Sequence, residues 1–438
     1  FFFIMGYKEE HEAFVSGLHG SSLWVVVYIG VCLVLIQAVR RVLDVRRVQW
    51  QSSFILDSLF INLPSLILLC FPETVGLWMS IFFVCLFFIL VLKQKDQNIP
   101  SMSPSDSNKL PFLTTYRSCL LLLTCLAILA VDFRIFPRYF AKTETFGYSL
   151  MDAGVGSFVF SNAIVSKTAR QSLSVSTKRS SISKRVSQTI RSVSPLLILG
   201  FIRLYSTKAT DYQEHVSEYG VHWNFFFTLS AVAILVTLLD IPSYLCPWVA
   251  LLTISAYQIS LFYGLEEWLL YTERVDLITM NKEGICSSIG FFAICLLGTW
   301  VGSLLFSAKN SSKESNDVLI KLIILDFICW ILCLSIHEVI PPSRRMANLS
   351  YVLFIAAFNI LLVILFRILD SLSPPIESML MKGLGRNGLF LFLIANLMTG
   401  ATNLSIHTLY ASDLQAFLIL SLYLTSLTVV TIFLHKNE

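Results

Sequence analysis

Residues 128–147 read ILAVDFRIFPRYFAKTETFG, a run of hydrocarbon that ends on Asp132 and continues through Arg134, Arg138 and Lys142, with Pro137 to turn the chain. A carboxylate at the mouth of an apolar segment costs roughly 3 kcal/mol if desolvated, so it must be paired, hydrated or protonated. Two readings meet that requirement. Asp132 and Lys142 can form an ion pair at the water–lipid boundary. They can also work together, the carboxylate as a base tuned toward neutral pH and the cation as the stabiliser of an electrophile.

Other polar clusters stand out against the apolar background. In YQEHVSEYGVHW (212–223), Glu214, Glu218 and His222 are spaced i, i+4, i+8, with His215 and Tyr219 on the adjacent stripe. A helix would align two carboxylates and an imidazole on one face, although Gly220 is placed to break it. The other reading is a hydrated interfacial helix anchored by Tyr and Trp. Asp152 in MDAGVGSFVF lies a third of the way into an apolar segment. Gly147, Gly154 and Gly156 around it allow close approach by a helix or a substrate chain. Arg344 and Arg345 can clamp a lipid phosphate bidentately or mark an interface. Asn281, Glu283 and Asn348 are polar residues at similar segment edges, open to the same two readings. HEXXH, P-loop, G-x-G-x-x-G and G-x-S-x-G patterns are missing from the sequence, and the ten cysteines form no CxxC, so no metal or redox site is expected.

The elements that carry these residues follow from composition. Of 438 residues, 55% are hydrophobic and 14% charged, against about a quarter charged in soluble domains. The chain is read as an all-α, polytopic integral membrane protein. At about 20 apolar residues per crossing, thirteen segments qualify: about 23–39, 54–71, 74–92, 116–133, 146–166, 193–207, 222–239, 244–263, 285–306, 318–340, 349–369, 387–406 and 411–434. They make a single membrane domain over 1–438, with cytoplasmic linkers at about 93–115 and 167–192. About two-thirds of the 32 Lys and Arg fall in loops after odd-numbered spans, which places the C-terminus in the cytoplasm and the N-terminus on the far side. Most of the polar clusters then share that far face. The Ser-rich stretch 167–191 carries seven cations and no acid. It reads as a flexible linker on anionic headgroups, and without interleaved aromatics it does not suit nucleic acid. FFFI before Met5 is too short for a signal-peptide core, and Met5 is expected to be the start.

Taken in order, AFVSGLHG, AILAVDFRIFPRYFAKTETFGYSLMDAGVGSFVFSNAIVS, YQEHVSEYGVHWNFFFTLS, NKEGICSSIGF, SRRMANLSY and NGLFLFLIANLMTGATNL resemble the signature blocks of the inositol acyltransferase of GPI-anchor synthesis, the PIG-W family, from about residue 13 to 420. The resemblance implies an endoplasmic-reticulum membrane enzyme of about thirteen spans. Such enzymes move a fatty acyl group, typically palmitoyl, from acyl-CoA to the inositol 2-hydroxyl of glucosaminyl-phosphatidylinositol. It implies acyl-CoA as co-substrate with no bound cofactor, membrane lipid as surroundings and no obligate protein partner. The family's Asp and Lys of the DF…FAK block fall on Asp132 and Lys142 as catalytic residues. Arg134 and Tyr139 depart from the usual DFPIFPRRFAK, standing for a proline and an arginine, so a phosphate role at the latter position is not carried over. On this reading Arg138, Arg344 and Arg345 serve the lipid phosphate, and Glu214, Glu218 and His222 serve the sugar. Asp152, His215, Asn281, Glu283 and Asn348 complete the substrate-binding set. His222 or His215 is the alternative base. A transporter or scramblase of a polar glycolipid is the competing function, and it calls for paired discontinuous helices.

Overall fold

The computed structural model describes residues 9–11, 13–43, 50–73, 75–94, 110–171, 182–209, 216–308, 312–372 and 378–436. Their regular elements are helices, with one isolated β-bridge between Ser21 and Tyr148. Eight helices are long and apolar enough to cross a bilayer: Leu23–Arg41, Pro111–Ala130, Cys246–Tyr271, Lys282–Ser307, Glu314–Ile336, Leu349–Leu372, Gly388–Ser405 and Asp413–His435. Phe54–Cys70, Gly76–Cys85 and Phe225–Leu239 are shorter apolar helices. The chain is therefore a multi-pass membrane protein of helices, with eight full-length crossings among the described residues.

Two of the expected segments differ in extent. The helix expected at 193–207 runs from Ile182 to Ala209 with Pro195 inside it, so 182–192 is helix and not linker. Serine and charge content suggest a flexible segment there, but Val186, Ile190 and Val193 recur at helical spacing, and Val193 is buried. Residues 172–181 of the basic stretch, Met5 and most of the 93–115 linker lie outside the described residues. The segment expected over 146–166 is helical only from Leu150 to Ala163. Ser149, extended at φ −139°, caps it by accepting a hydrogen bond from the Asp152 N–H. Asp152 thus sits in the first helical turn and not deep within a span.

The chain forms two compact units, Phe1–Ser21 with Lys142–Ile360, and Ser22–Ala141 with Leu361–Glu438. In the second, buried ion pairs tie helices together: Arg40 Nε meets Asp57 Oδ1 at 2.7 Å, and Arg41 pairs with Asp370 and donates to Thr115. In the first, the Lys282–Ser307 helix packs against Cys246–Ser260, Leu150–Ala163 and Phe225–Leu239. Its glycines make that packing possible. A Cβ on Gly302 would lie 2.0 Å from the Ile164 carbonyl oxygen, and one on Gly290 would lie 2.0 Å from that of Ala347. A Cβ on Gly156 would lie 2.6–2.8 Å from the Ile355 side chain and the Tyr351 hydroxyl, so the small residue there meets a helix and not an open acyl groove.

Gly302→Ala is expected to lower stability by about 1–3 kcal/mol through overpacking against backbone, read as a lower thermal midpoint of the detergent-solubilised protein. Gly400→Ala, where nothing lies within 4 Å of the new methyl, is expected to be neutral or slightly stabilising. Equal midpoints for the two variants would contradict this packing.

Candidate functional site

The loop from Lys142 to Ser149 leads into the Leu150–Ala163 helix, and backbone hydrogen bonds hold it from two sides. Ser21 N–H donates to the Tyr148 carbonyl at 2.6 Å and Glu144 N–H to that of Leu18 at 2.9 Å. Gly147 N–H donates to Pro342 at 2.9 Å, and Ser343 Oγ donates to the Thr145 carbonyl at 2.6 Å. Gly20 (φ +82°) and Gly147 (φ +127°) are required by these approaches: a Cβ on either would stand 2.3 Å from a backbone oxygen of the facing strand. The 341–348 segment and the N-terminal 18–21 segment therefore fix where Lys142 and Thr143 lie.

A chain of charges runs through this loop. Arg344, 3% exposed, donates from Nε to Asp152 Oδ1 at 2.7 Å, and its Nη1 lies 3.7 Å from Glu218 Oε1. Lys142 Nζ reaches the same Glu218 oxygen at 2.5 Å. The other oxygen of Asp152 accepts from Thr143 N–H at 3.0 Å and Thr143 Oγ1 at 2.8 Å. The Tyr351 hydroxyl donates to the Asp152 carbonyl at 2.8 Å, and the Arg344 guanidinium lies over the Tyr219 ring at 5.5 Å. Burial pushes the Glu218 carboxyl up, but Lys142 and Arg344 outweigh it and hold it at about 2. Burial likewise pulls Arg344 down, and Glu218 with Asp152 more than reverse that. The Arg344 guanidinium and the Glu218 carboxylate are thus each held in the charged form by their neighbours.

A second network sits beside the first. Glu283, 1% exposed, takes Arg274 on both oxygens, at 2.5 and 3.0 Å, and Arg345 on Oε1 at 2.9 Å. Asn281 Oδ1 accepts the His222 N–H at 2.8 Å, and Lys208 Nζ stands 2.9 Å from His222 Nδ1. Asn348 Oδ1 accepts from Ser343 N–H and Tyr351 N–H, and its Nδ2 donates to Pro341. Among the described residues, no group of three or more His, Cys, Asp or Glu is placed to hold a metal.

The sequence-derived candidates therefore separate. Lys142, Asp152, Glu218 and Arg344 come together in one network, and Glu283 with Arg345 in another. Glu218 and His222 do not share a helical face. Among the described residues the helix there is Val216–Tyr219, and it ends at Gly220, whose φ of +121° and close approach to Asn281, with Cα 2.6 Å from where a Cβ would be, call for glycine. Glu218 then faces Lys142 while His222 turns to Lys208. Glu214 and His215 lie outside the described residues. Arg344 does not offer a free phosphate clamp, being enclosed by carboxylates.

Asp132 belongs to the second unit. It is 6% exposed and accepts from Asn403 Nδ2 at 2.7 Å. Arg138 donates to the carbonyls of Phe133 and Phe136 at 3.0–3.1 Å. Burial lowers its guanidinium to about 10 against the pull of Asp132. Sequence reasoning did not select Asn403, Thr143, Arg274 or Tyr351. Asn403 closes the NGLFLFLIANLMTGATNL block, and Thr143 follows Lys142 directly, so proximity to quoted blocks was the available signal. Arg274 had none.

Comparison with known proteins gives these contacts a context. The GWT1 family model matches residues 7–434. The "Phosphatidylinositol-glycan biosynthesis class W protein" of Dictyostelium discoideum is 37% identical, covering 98% of each chain. The "GPI-anchored wall transfer protein 1" of Aspergillus oryzae is 35% identical over 98% of each chain, and that of Candida glabrata is also 35% identical at the same coverage.

Arg344→Leu leaves Asp152 and Glu218 without their buried cation and is expected to cost about 3–5 kcal/mol. Arg345→Leu should cost less, because Glu283 keeps Arg274. Chemical denaturation of the solubilised protein compares them. Because the folded-state value of Glu218 is depressed, its contribution is complete above the ordinary value of 4.5 and is lost as pH falls toward about 2. Glu218→Gln is expected to flatten the stability profile across that window, and an unchanged acid limb would refute the assignment.

Proposed function

The chain belongs to the GWT1 family, and on that premise we propose that it acylates inositol in GPI-anchor biosynthesis as a membrane-embedded acyltransferase. One observation carries this reading: relatives named for phosphatidylinositol-glycan biosynthesis and GPI-anchored wall transfer match the chain nearly end to end. The donor is a long-chain acyl-CoA, typically palmitoyl-CoA, and the acceptor is the inositol 2-hydroxyl of glucosaminyl-phosphatidylinositol. The enzyme works in the endoplasmic-reticulum membrane, with its N-terminus lumenal and its C-terminus cytoplasmic. A glycolipid transporter is not retained, because the named relatives are biosynthetic and transfer proteins.

Acyl transfer from a thioester to a hydroxyl needs a base, stabilisation of the oxyanion and exclusion of water. Asp132 accepts the inositol proton as the oxygen attacks the thioester carbonyl. The new C–O bond forms, the C–S bond breaks, and the proton passes to the departing thiolate of CoA. Lys142 stabilises the charge that develops on the carbonyl oxygen. Three features support these roles. Asp132 is buried at the end of the Pro111–Ala130 helix and accepts a neutral amide N–H from Asn403. Lys142 is one-third exposed, so its ammonium can meet a substrate. Glu218 and the Arg344–Asp152 pair behind it fix that ammonium in place, so Glu218, Arg344 and Asp152 act as positioning residues.

Asp132→Asn and Lys142→Met are each expected to cut acyl transfer by about 100-fold or more, measured on protein that still elutes as a folded species. Mass spectrometry of inositol-acylated product from purified enzyme, acyl-CoA and glucosaminyl-phosphatidylinositol measures this. Full turnover by Asp132→Asn would remove it as the base. A covalent acyl adduct trapped on the protein would contradict direct transfer.

A further inference from the structure

The first unit contains a cleft of about 370 Å³ that Lys142, Glu218 and Arg344 do not line. Its walls include Phe146, Gln258, Phe262, Glu266, Glu267 and Asn348. The cleft exists because the Cys246–Tyr271 span is broken. Residues Leu261–Leu265 form a π-helical turn in which Tyr263 and Gly264, at φ +107°, leave helical geometry. Non-helical backbone within a spanning segment is tolerated where it lines a cavity or is buried in protein. The break turns two consecutive carboxylates, Glu266 and Glu267, onto that cavity.

Carboxylates in a spanning helix are costly and call for a partner. Neither Glu266 nor Glu267 has an ion-pair partner among the described residues, although Glu283, Glu218, Asp152 and Asp57 all do. Gln258 supplies an independent sign. It is 4% exposed and lines the cleft, and its Oε1 accepts the Leu349 N–H at 3.1 Å, which leaves Nε2 as the donor still to be matched. That Nε2 is buried with no acceptor. A buried amide donor left unmade costs about 1–3 kcal/mol, so an acceptor is missing from the cleft. The unmet demand is specific: two anionic acceptors for a cation or hydroxyl donors, one N–H for an oxygen, and the rings of Phe146 and Phe262 for apolar C–H faces.

We propose that this cleft binds a protonated amino sugar, the hexosamine of the glycolipid acceptor. Glu266 and Glu267 take its ammonium and a neighbouring hydroxyl, and Gln258 Nε2 donates to a ring or hydroxyl oxygen. The volume falls in the usual range of small-molecule sites. Placement agrees with the proposed reaction, on whose acceptor this assignment rests. The two chain segments that carry Lys142 and Arg344 also supply Phe146 and Asn348 to the cleft. The sugar is thereby held beside the reacting hydroxyl and contributes to affinity and not to the chemical step.

The test uses full-length protein in phosphatidylcholine nanodiscs and measures equilibrium binding of fluorescent glucosaminyl-phosphatidylinositol, its N-acetylated counterpart, and phosphatidylethanolamine as competitor. The wild type should bind the free amine about tenfold more tightly than the uncharged N-acetyl form. Glu266→Gln/Glu267→Gln should erase that preference, each single variant should reduce it, and Glu314→Gln on a separate helix should leave it intact. An undiminished preference in the double and single variants would overturn the proposal. Equal competition by phosphatidylethanolamine would also overturn it, since the site would then read any lipid ammonium. Acyl transfer is followed in the same nanodiscs. Amine discrimination without transfer would sink the enzymatic reading and leave the subsite; transfer without discrimination would do the reverse.

Discussion

Taking a guanidinium out of water costs several kcal/mol even after relaxation, and the cost is recovered only when geometry supplies well-placed anions. Arg344, almost wholly buried, meets that condition by lying between Asp152 and Glu218 with the Tyr219 ring against its face. Everything around it is arranged accordingly. Asp152 is held in the first turn of its helix by the Ser149 cap, and its second oxygen is occupied by Thr143. Glu218 is carried on a single helical turn that Gly220 stops. Lys142 is the exposed end of this chain of charges, and its position is inherited from the buried part.

Tight backbone packing lets such a network exist within a membrane-spanning unit. The Lys282–Ser307 helix approaches the 341–348 segment so closely at Gly290 that only glycine fits opposite Ala347, itself at φ +49°. That approach sets Arg345 against Glu283 and Arg344 against Asp152 from adjacent positions on one loop. Adjacent arginines therefore serve different carboxylates on different helices, Asp152 at the start of one and Glu283 at the start of another. The loop is fixed at both residues, and the Tyr257 hydroxyl fixes it again through the Met346 carbonyl.

Much of this was legible in the sequence where the signal is local. Apolar runs mark the spanning helices, but the run over 146–166 hid the Ser149 cap that sets Asp152 at a helix start. The positions that escaped are those whose meaning lies in a distant partner. Asn403 looks like one more polar residue at a span edge until it is seen to be bonded to Asp132, 271 residues away in sequence. Arg274 carries no motif and is needed only because Glu283 is buried. Composition misled at 182–192, where serines and cations suggest a linker. The structure has helix there, with Val186, Ile190 and Val193 at helical spacing and Val193 buried.

The carboxylates of the chain divide by what surrounds them, and that division bears on which could move a proton. Glu218, held at about 2 by Lys142 and Arg344, is too weakly basic to take one near neutral pH. Asp152 has a guanidinium on one oxygen and two N–H or O–H donors on the other, and Glu283 carries two guanidinium groups. The oxygens of these carboxylates are taken up by protein donors. Asp132 accepts from Asn403, an uncharged amide, and the nearby Arg138 donates to backbone carbonyls. Asp152, Glu218 and Glu283 thus serve as structural anions, each tied to the cations that the fold buries beside it.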